Sequence, residues 1–260
     1  MVGHVTAPAA ALLAELPGWA SLVRAPNPGP MTLEGTNTWV LRAPGEPRCV
    51  VIDPGPYDET HLAAVAERGP VAAILLTHAH PDHVDGLPAL AERTGAALVT
   101  VELETELAGL WVRALATPGH TADSVCFQVS WGSDCALFSG DTILGRGTTV
   151  VAHPDGDLGD YLDSLRLLAG LDGVPVLPGH GPALADCGAA ARFYLEHRIA
   201  RLAQVRAARA AGARTAAEVV ARVYADVDRV LWPAAEWSVR AQLAYLDRES
   251  PPPATELDRP

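Results

Sequence analysis

The 260-residue sequence contains no lysine, so all 19 of its basic side chains are arginine. That absence excludes a Schiff base, a phosphate-loop lysine and a lysine general base, and arginine is too basic to take over proton abstraction. Acid and base work therefore falls on histidines and carboxylates. No stretch approaches the roughly 18 consecutive apolar residues of a membrane span. The hydrophobic 49% is instead spread in short runs, as in a globular core. Of the four cysteines, none forms a C-x-x-C pair, and Cys49, Cys126 and Cys135 sit in apolar runs where reduced thiols pack as small hydrophobes. A basic excess is also missing. The net charge of −12 argues against holding nucleic acid by general electrostatics, although arginines outnumber acids between residues 186 and 247. Residues 1–11 carry no positive charge ahead of an apolar segment, so no secretory signal is expected and a cytoplasmic location is.

The length suits one α/β domain with an appended module. Apolar runs separated by turn residues predict strands over 38–41, 49–52, 71–76, 97–101, 110–116, 125–129, 135–138 and 174–177. Helices are expected over 59–68, capped by Asp58 and stopped by Gly69, and over 87–93 and 161–168. After Pro182 the strand-like runs stop, and 189–211, 216–224 and 234–246 read as helices, with Trp232 and Trp237 expected in their core. The proline-rich tail 250–260 is expected to be disordered.

Chemistry concentrates in Thr77-His78-Ala79-His80-Pro81-Asp82-His83, four potential metal ligands within six residues, directly after an apolar strand. Imidazoles with a carboxylate are the donors a borderline-soft dication such as zinc prefers. Three later segments, Thr117-Pro118-Gly119-His120, Ser139-Gly140-Asp141 and Pro178-Gly179-His180, repeat one plan: an apolar strand ends at a ligand-type residue preceded by glycine. Glycine there can swing the next side chain outward, and strand ends on one sheet edge would bring the groups together.

The H-x-H-x-D-H segment, followed by single His120, Asp141 and His180, resembles the metallo-β-lactamase-fold hydrolases. Asn27-Pro28-Gly29-Pro30-Met31-Thr32, Gly35-Thr36-Asn37-Thr38 and Leu144-Gly145-Arg146-Gly147-Thr148-Thr149 narrow the resemblance to the β-lactamase-like protein 2 group, related to glyoxalase II. The resemblance implies an α/β fold: an αββα sandwich over residues 21–185 after an N-terminal extension 1–20, then a small helical, winged-helix-like module over 186–249. It also implies a two-zinc site, with Mn2+ or Fe2+ as alternatives. His78, His80 and His120 would hold one ion, Asp82, His83 and His180 the other, and Asp141 would bridge them. A metal-bridging hydroxide would be the nucleophile, with Asp82 also catalytic. Asp53 resembles the carboxylate that orients a ligand histidine, and it equally suits a turn cap before Pro54-Gly55. Tyr194, His197 and Arg198 match a pattern of the group. Histidine at 83 and aspartate at 141, with cysteine at neither, point away from antibiotic hydrolysis. The substrates implied are single-stranded RNA or a small thioester or ester, with no membrane partner and a homodimer as one arrangement. A non-enzymatic winged-helix nucleic-acid-binding protein is the competing reading. For RNA, the arginines between Arg192 and Arg214 offer a backbone track. The short segment between His83 and His120 puts the relatives' specificity in question more than their mechanism.

Overall fold

A computed structural model describes residues 12–249; residues 1–11 and the expected disordered tail 250–260 lie outside them. Nine strands form two mixed sheets. The first has the order β1-β2-β3-β4, from Ala20–Arg24, Asn37–Leu41, Cys49–Ile52 and Val71–Leu75. The second has the order β5-β6-β7-β8-β9, from Glu104–Leu107, Leu110–Ala116, Val125–Trp131, Asp134–Gly140 and Val176–Pro178. β3 pairs with β4 and β8 with β9 in parallel, and every other pair is antiparallel.

Side-chain alternation decides the layering. In β3, Val50 and Ile52 face the second sheet, while Cys49 and Val51 face helices. In β8, Ala136 and Phe138 point inward and Leu137 outward. Trp39, Leu75, Leu110, Val129 and Leu177 join the inward set, making one dry core between the sheets. The outer face of the first sheet is covered by α1, Glu59–Ala66, and α3, Leu87–Thr94, with the short α2, Pro81–Val84, between them. The outer face of the second is covered by α4, Leu158–Leu168, and the long α5, Cys187–Ala210. α6, Ala216–Val223, and α7, Trp232–Glu249, close a further core with Leu202, Val205, Val239 and Leu246. The result is the expected αββα sandwich with a helical C-terminal part, in which no strand follows β9 among the described residues. No helix among them is long and apolar enough to cross a membrane.

The differences from expectation have local causes. The strand expected over 97–101 is reduced to one parallel bridge between Leu98 and Ile74. Ala97 and Leu98 are exposed, so no second face of that segment is buried. β9 begins at Val176 rather than 174, because Pro175 has no N–H and contributes only its carbonyl, to Leu137 N. β1, and β5 with its polar edge, lacked a contrasting apolar run. Helix α4 starts three residues earlier than expected, where Asp157 accepts from the backbone of Gly159 and Asp160. Trp237 is 45% exposed, a correction to its expected place in a helical core, whereas Trp232 does pack there. Within the stretch expected as an N-terminal extension, Trp19 is buried in the inter-sheet core.

Phe138 meets Trp39 edge-on at 5.8 Å and Trp19 at 6.2 Å, at the centre of that core. Phe138→Ala should therefore cost about 3–5 kcal/mol in denaturant unfolding. Leu167→Ala, at a half-exposed site, should stay within about 0.5 kcal/mol.

Candidate metal centre

Each ligand-type residue follows the C-terminal end of a strand. His78 follows β4, His120 β6, Asp141 β8 and His180 β9, while His80 caps α2, which carries Asp82 and His83. The seven come together as two groups, His78, His80, His120 and Asp141, and Asp82, His83 and His180, with donor atoms in each group within 4.8 Å of one another. Asp141 spans both: its Oδ2 lies 3.7 Å from His120 Nε2 and 3.4 Å from His180 Nε2, and its Oδ1 lies 3.5 Å from His83 Nε2.

The glycines before these residues act in two ways. Gly119 has φ +135, and a Cβ on it would stand 2.3 Å from the Cα of Tyr161, so α4 can approach the His120 turn only because no side chain intervenes. Gly179 has no such backbone conformation; its role is space, since a Cβ there would stand 2.6 Å from Asp141 Oδ1 and 2.7 Å from a His83 ring carbon.

Contacts behind the rings decide which nitrogen faces inward. Asp53, buried at the end of β3, accepts from Thr77 N at 2.8 Å and from Thr77 Oγ1 at 2.7 Å. Having donated its hydrogen, Thr77 Oγ1 accepts from His78 Nδ1 at 3.0 Å. Asp53 Oδ2 also takes the Nδ1–H of His83 at 2.8 Å, His120 Nδ1 donates to Val150 O at 2.6 Å, and His180 Nδ1 donates to Gly35 O at 3.4 Å. With every Nδ1–H directed outward, these four rings turn Nε2 to the centre, bare in His78 and His120 and, without a cation, protonated in His83 and His180 under the pull of Asp141. The inward nitrogens stand close together: His80 Nδ1 lies 3.0 Å from both His78 Nε2 and His120 Nε2, and His83 Nε2 lies 3.3 Å from His180 Nε2. Asp141 Oδ1 is buried without a hydrogen-bond partner. Converging ring nitrogens and an orphaned carboxylate oxygen fit a cation better than they fit one another.

The electrostatics agree. Burial, then the charge of His83, pushes His78 down to about 2, and burial likewise lowers His120, so both rings are held neutral. Burial also opposes charge on His180, yet Asp141 outweighs it and raises that ring to about 9, and His83 is raised in the same way by Asp141 and Asp53. Asp82 and Asp141 stay ionised despite burial, because His180 and His83 hold their carboxyls far below the usual range. The cluster is thus an ionised, acid-containing interior with a demand for positive charge.

Between the two readings of Asp53, the structure favours the one that orients a histidine; it holds His83 and also fixes Thr77, the residue before His78. Thr36 and Asn37 had been visible only as motif residues. Thr36 Oγ1 donates to Asp82 Oδ2 at 3.0 Å and is oriented by Asn27, while Asn37 Nδ2 donates to Pro178 O and Gly181 O on either side of His180. Tyr194 is fully buried and bonds both backbone groups of Leu144. His197 lines a cavity beside the centre, and Arg198 donates to Thr149 O.

Burial, with Arg198 and Arg201 adding to it, pushes His197 down to about 4. An unfolded histidine titrates near about 6.5, so below that pH the unfolded chain takes up a proton that folded His197 refuses. Stability should fall as pH drops from about 6.5 toward about 4, and His197→Gln should flatten that fall in urea unfolding. Parallel slopes for parent and variant would show that His197 is not held neutral.

Residues 31–109 and, in an overlapping stretch, 98–180 match the metallo-β-lactamase superfamily, and residues 215–250 match the β-lactamase-associated winged helix domain. The chain is 34% identical to a β-lactamase-like protein 2 homolog of Drosophila melanogaster over 86% of each chain. A β-lactamase domain protein from Burkholderia ambifaria has the same fold, with a TM-score of 0.74 at 22% identity over 97% of this chain and 95% of that one. A protein solved in a di-iron-bound form is 28% identical, with a TM-score of 0.54, over 66% of this chain and 98% of its own. With its two sheets, its ligand-type residues at the strand ends and a match over most of its length, this chain belongs to the metallo-β-lactamase superfamily of metal-dependent hydrolases, in the group of the β-lactamase-like protein 2 homologues.

Proposed function

We propose that the protein is a dinuclear, zinc-dependent hydrolase of small esters or thioesters. In this reading His78, His80 and His120 hold one cation, Asp82, His83 and His180 the second, and Asp141 lies between them. The compact donor groups and the reach of Asp141 to both support the assignment. Imidazole with carboxylate suits zinc; iron, as in the di-iron-bound relative, and manganese are the competitors. Two bound dications would supply an acidified water as nucleophile and neutralise charge developing on the attacked oxygen. Asp82 is the catalytic carboxylate. Its side chain is the most open of the metal-facing acids, at 27% exposed, and the Thr36 hydroxyl steadies one of its oxygens. It can therefore orient the attacking water and exchange a proton with solvent, work that no lysine is present to do.

A cavity of about 460 Å3 beside His120 and Asp141 carries the small-substrate reading. Its walls come from Met31 and Leu33, the segment 144–150 and the helices α5 to α7, and its volume is that of a small-molecule site. Single-stranded RNA would instead need an open basic track. On α5, Arg192, Arg206 and Arg209 pair with Asp172, Glu249 and Asp247, Arg201 stacks on Tyr224 and Arg198 is buried, so little of the track is free.

Chelator-treated protein reloaded with zinc, manganese or iron should bind two equivalents and hydrolyse 4-nitrophenyl butyrate or a butyryl thioester, with activity lost on chelation. Asp82→Ala should lower kcat by about 10²–10⁴-fold. RNA cleavage without acyl hydrolysis would overturn the substrate, and a single equivalent of metal the dinuclear assignment. Asp53→Ala, which frees the Nδ1–H of His83 and the anchor of Thr77, should weaken metal binding by about 10–100-fold in chelator competition. Unchanged affinity would remove Asp53 from any role in the site.

A further inference from the structure

One buried charge has no counter-charge. Arg198 on α5 is only 5% exposed, and no carboxylate pairs with it among the described residues. One of its terminal nitrogens donates to Thr149 O, its guanidinium lies 5.3 Å from the Tyr161 ring centre, and its Nε is buried with no partner. None of these neighbours is negative, since burial keeps the phenols of Tyr161 and Tyr194 protonated by raising both far above the usual range. A buried cation with no partner is strongly unfavourable unless something compensates it.

Arg198 lines the cavity, beside Arg201 and His197. Arg201 is likewise without a carboxylate among the described residues; it donates to Gln204 Oε1 and to Val223 O and stacks 4.3 Å from the Tyr224 ring centre. Arg146, also on the cavity lining, is already paired with Glu34. Asp226, also on the wall, is exposed and pairs with neither arginine. The C-terminal wall is therefore positive, half-buried and uncompensated, next to an apolar lining that includes Met31, Leu144, Val227 and Leu231.

We propose that this wall is an anion-binding subsite: besides the bond to be cleaved, the substrate carries a carboxylate or phosphate group that reaches Arg198 and Arg201, with an apolar body lying along the cavity. This rests on the small-substrate reading above. Guanidinium forks match such oxoanions in geometry, and a charge-assisted pair in a water-poor cavity is stronger than one on the surface. The arriving group supplies the negative charge that the fold leaves out. The arm of Arg198 on Thr149 O also ties the subsite to the metal centre, because Thr149 Oγ1 and Val150 O both contact His120 Nδ1.

The test compares 5-phenylvalerate, 4-phenylbutylphosphonate and neutral 5-phenylvaleramide by calorimetry on the metal-saturated protein. At least one anion should bind roughly tenfold more tightly than the amide, and Arg198→Met should abolish that preference while leaving amide affinity unchanged. The anion whose affinity falls further on substitution identifies the group. Equal binding of all three probes would overturn the subsite. So would a preference that survives in Arg198→Met, since the anions would then sit on the metals and Arg198 would be only a clamp, seen as a lowered Tm. Should Arg198→Met fail to fold, Arg201→Met carries the same comparison. Loss of acyl hydrolysis with an intact anion preference would sink the hydrolase reading alone, whereas hydrolysis without any preference would sink the subsite alone.

Discussion

Ring nitrogens have to face one another in a buried pocket, and that arrangement holds only if the other side of each ring is tied down. Asp53 is the main tie. It gathers the amide and hydroxyl of Thr77 and the Nδ1–H of His83, and through Thr77 it also sets the ring of His78. Asp53 itself sits at φ +53, a left-handed conformation that aspartate tolerates better than most residues other than glycine. Three donors on its one buried carboxylate hold it across the strand end. If Asp53 were free to turn, two of the rings would lose their orientation together.

The sandwich supplies the rigid frame for these ties. Strand ends from both sheets meet at one edge of the dry core, so Asp53 and His78 come from the first sheet and His120, Asp141 and His180 from the second. Asn37 bridges the two by donating to Pro178 O and Gly181 O, which fixes the β9 end where His180 emerges. Close approach is then limited by side-chain volume. Gly119 and Gly179 sit where α4 and the side chains of His83 and Asp141 leave no room for a methyl group.

The fold class and the seven converging residues were legible because they depend on local signals: apolar runs, a dense histidine motif and glycine before single ligand-type residues; the αββα layering came with the family resemblance. Segment 97–101 misled because an apolar run alone does not reveal whether its second face is covered, and Leu98 is half exposed. Trp237 misled for the same reason in a helix. The ties behind the rings were harder to read, since they join residues far apart in the chain. Asn37 to Pro178 and Gly35 to His180 are contacts that no spacing rule announces. Nor could the sequence separate the arginines of α5, where three are neutralised by acids from other segments and one is buried with none.

That separation bears on where selectivity resides. The segment between His83 and His120 forms α3, β5 and β6 on the body of the sandwich, with none of residues 84–119 on the cavity wall. In the proposed function, selection falls to the lining of that cavity: the turn around Met31, the segment 144–150 and the C-terminal helices. These three are themselves coupled. Tyr194 holds Leu144, Arg198 holds Thr149, and Glu34 pairs with Arg146, so the helices that wall the cavity also position the segment that steadies His120. Two buried side chains of α5, Tyr194 and Arg198, thus reach the backbone beside the candidate metal centre from the helix that precedes the winged-helix stretch. Their presence ties the helical part to the segment beside the candidate metal centre.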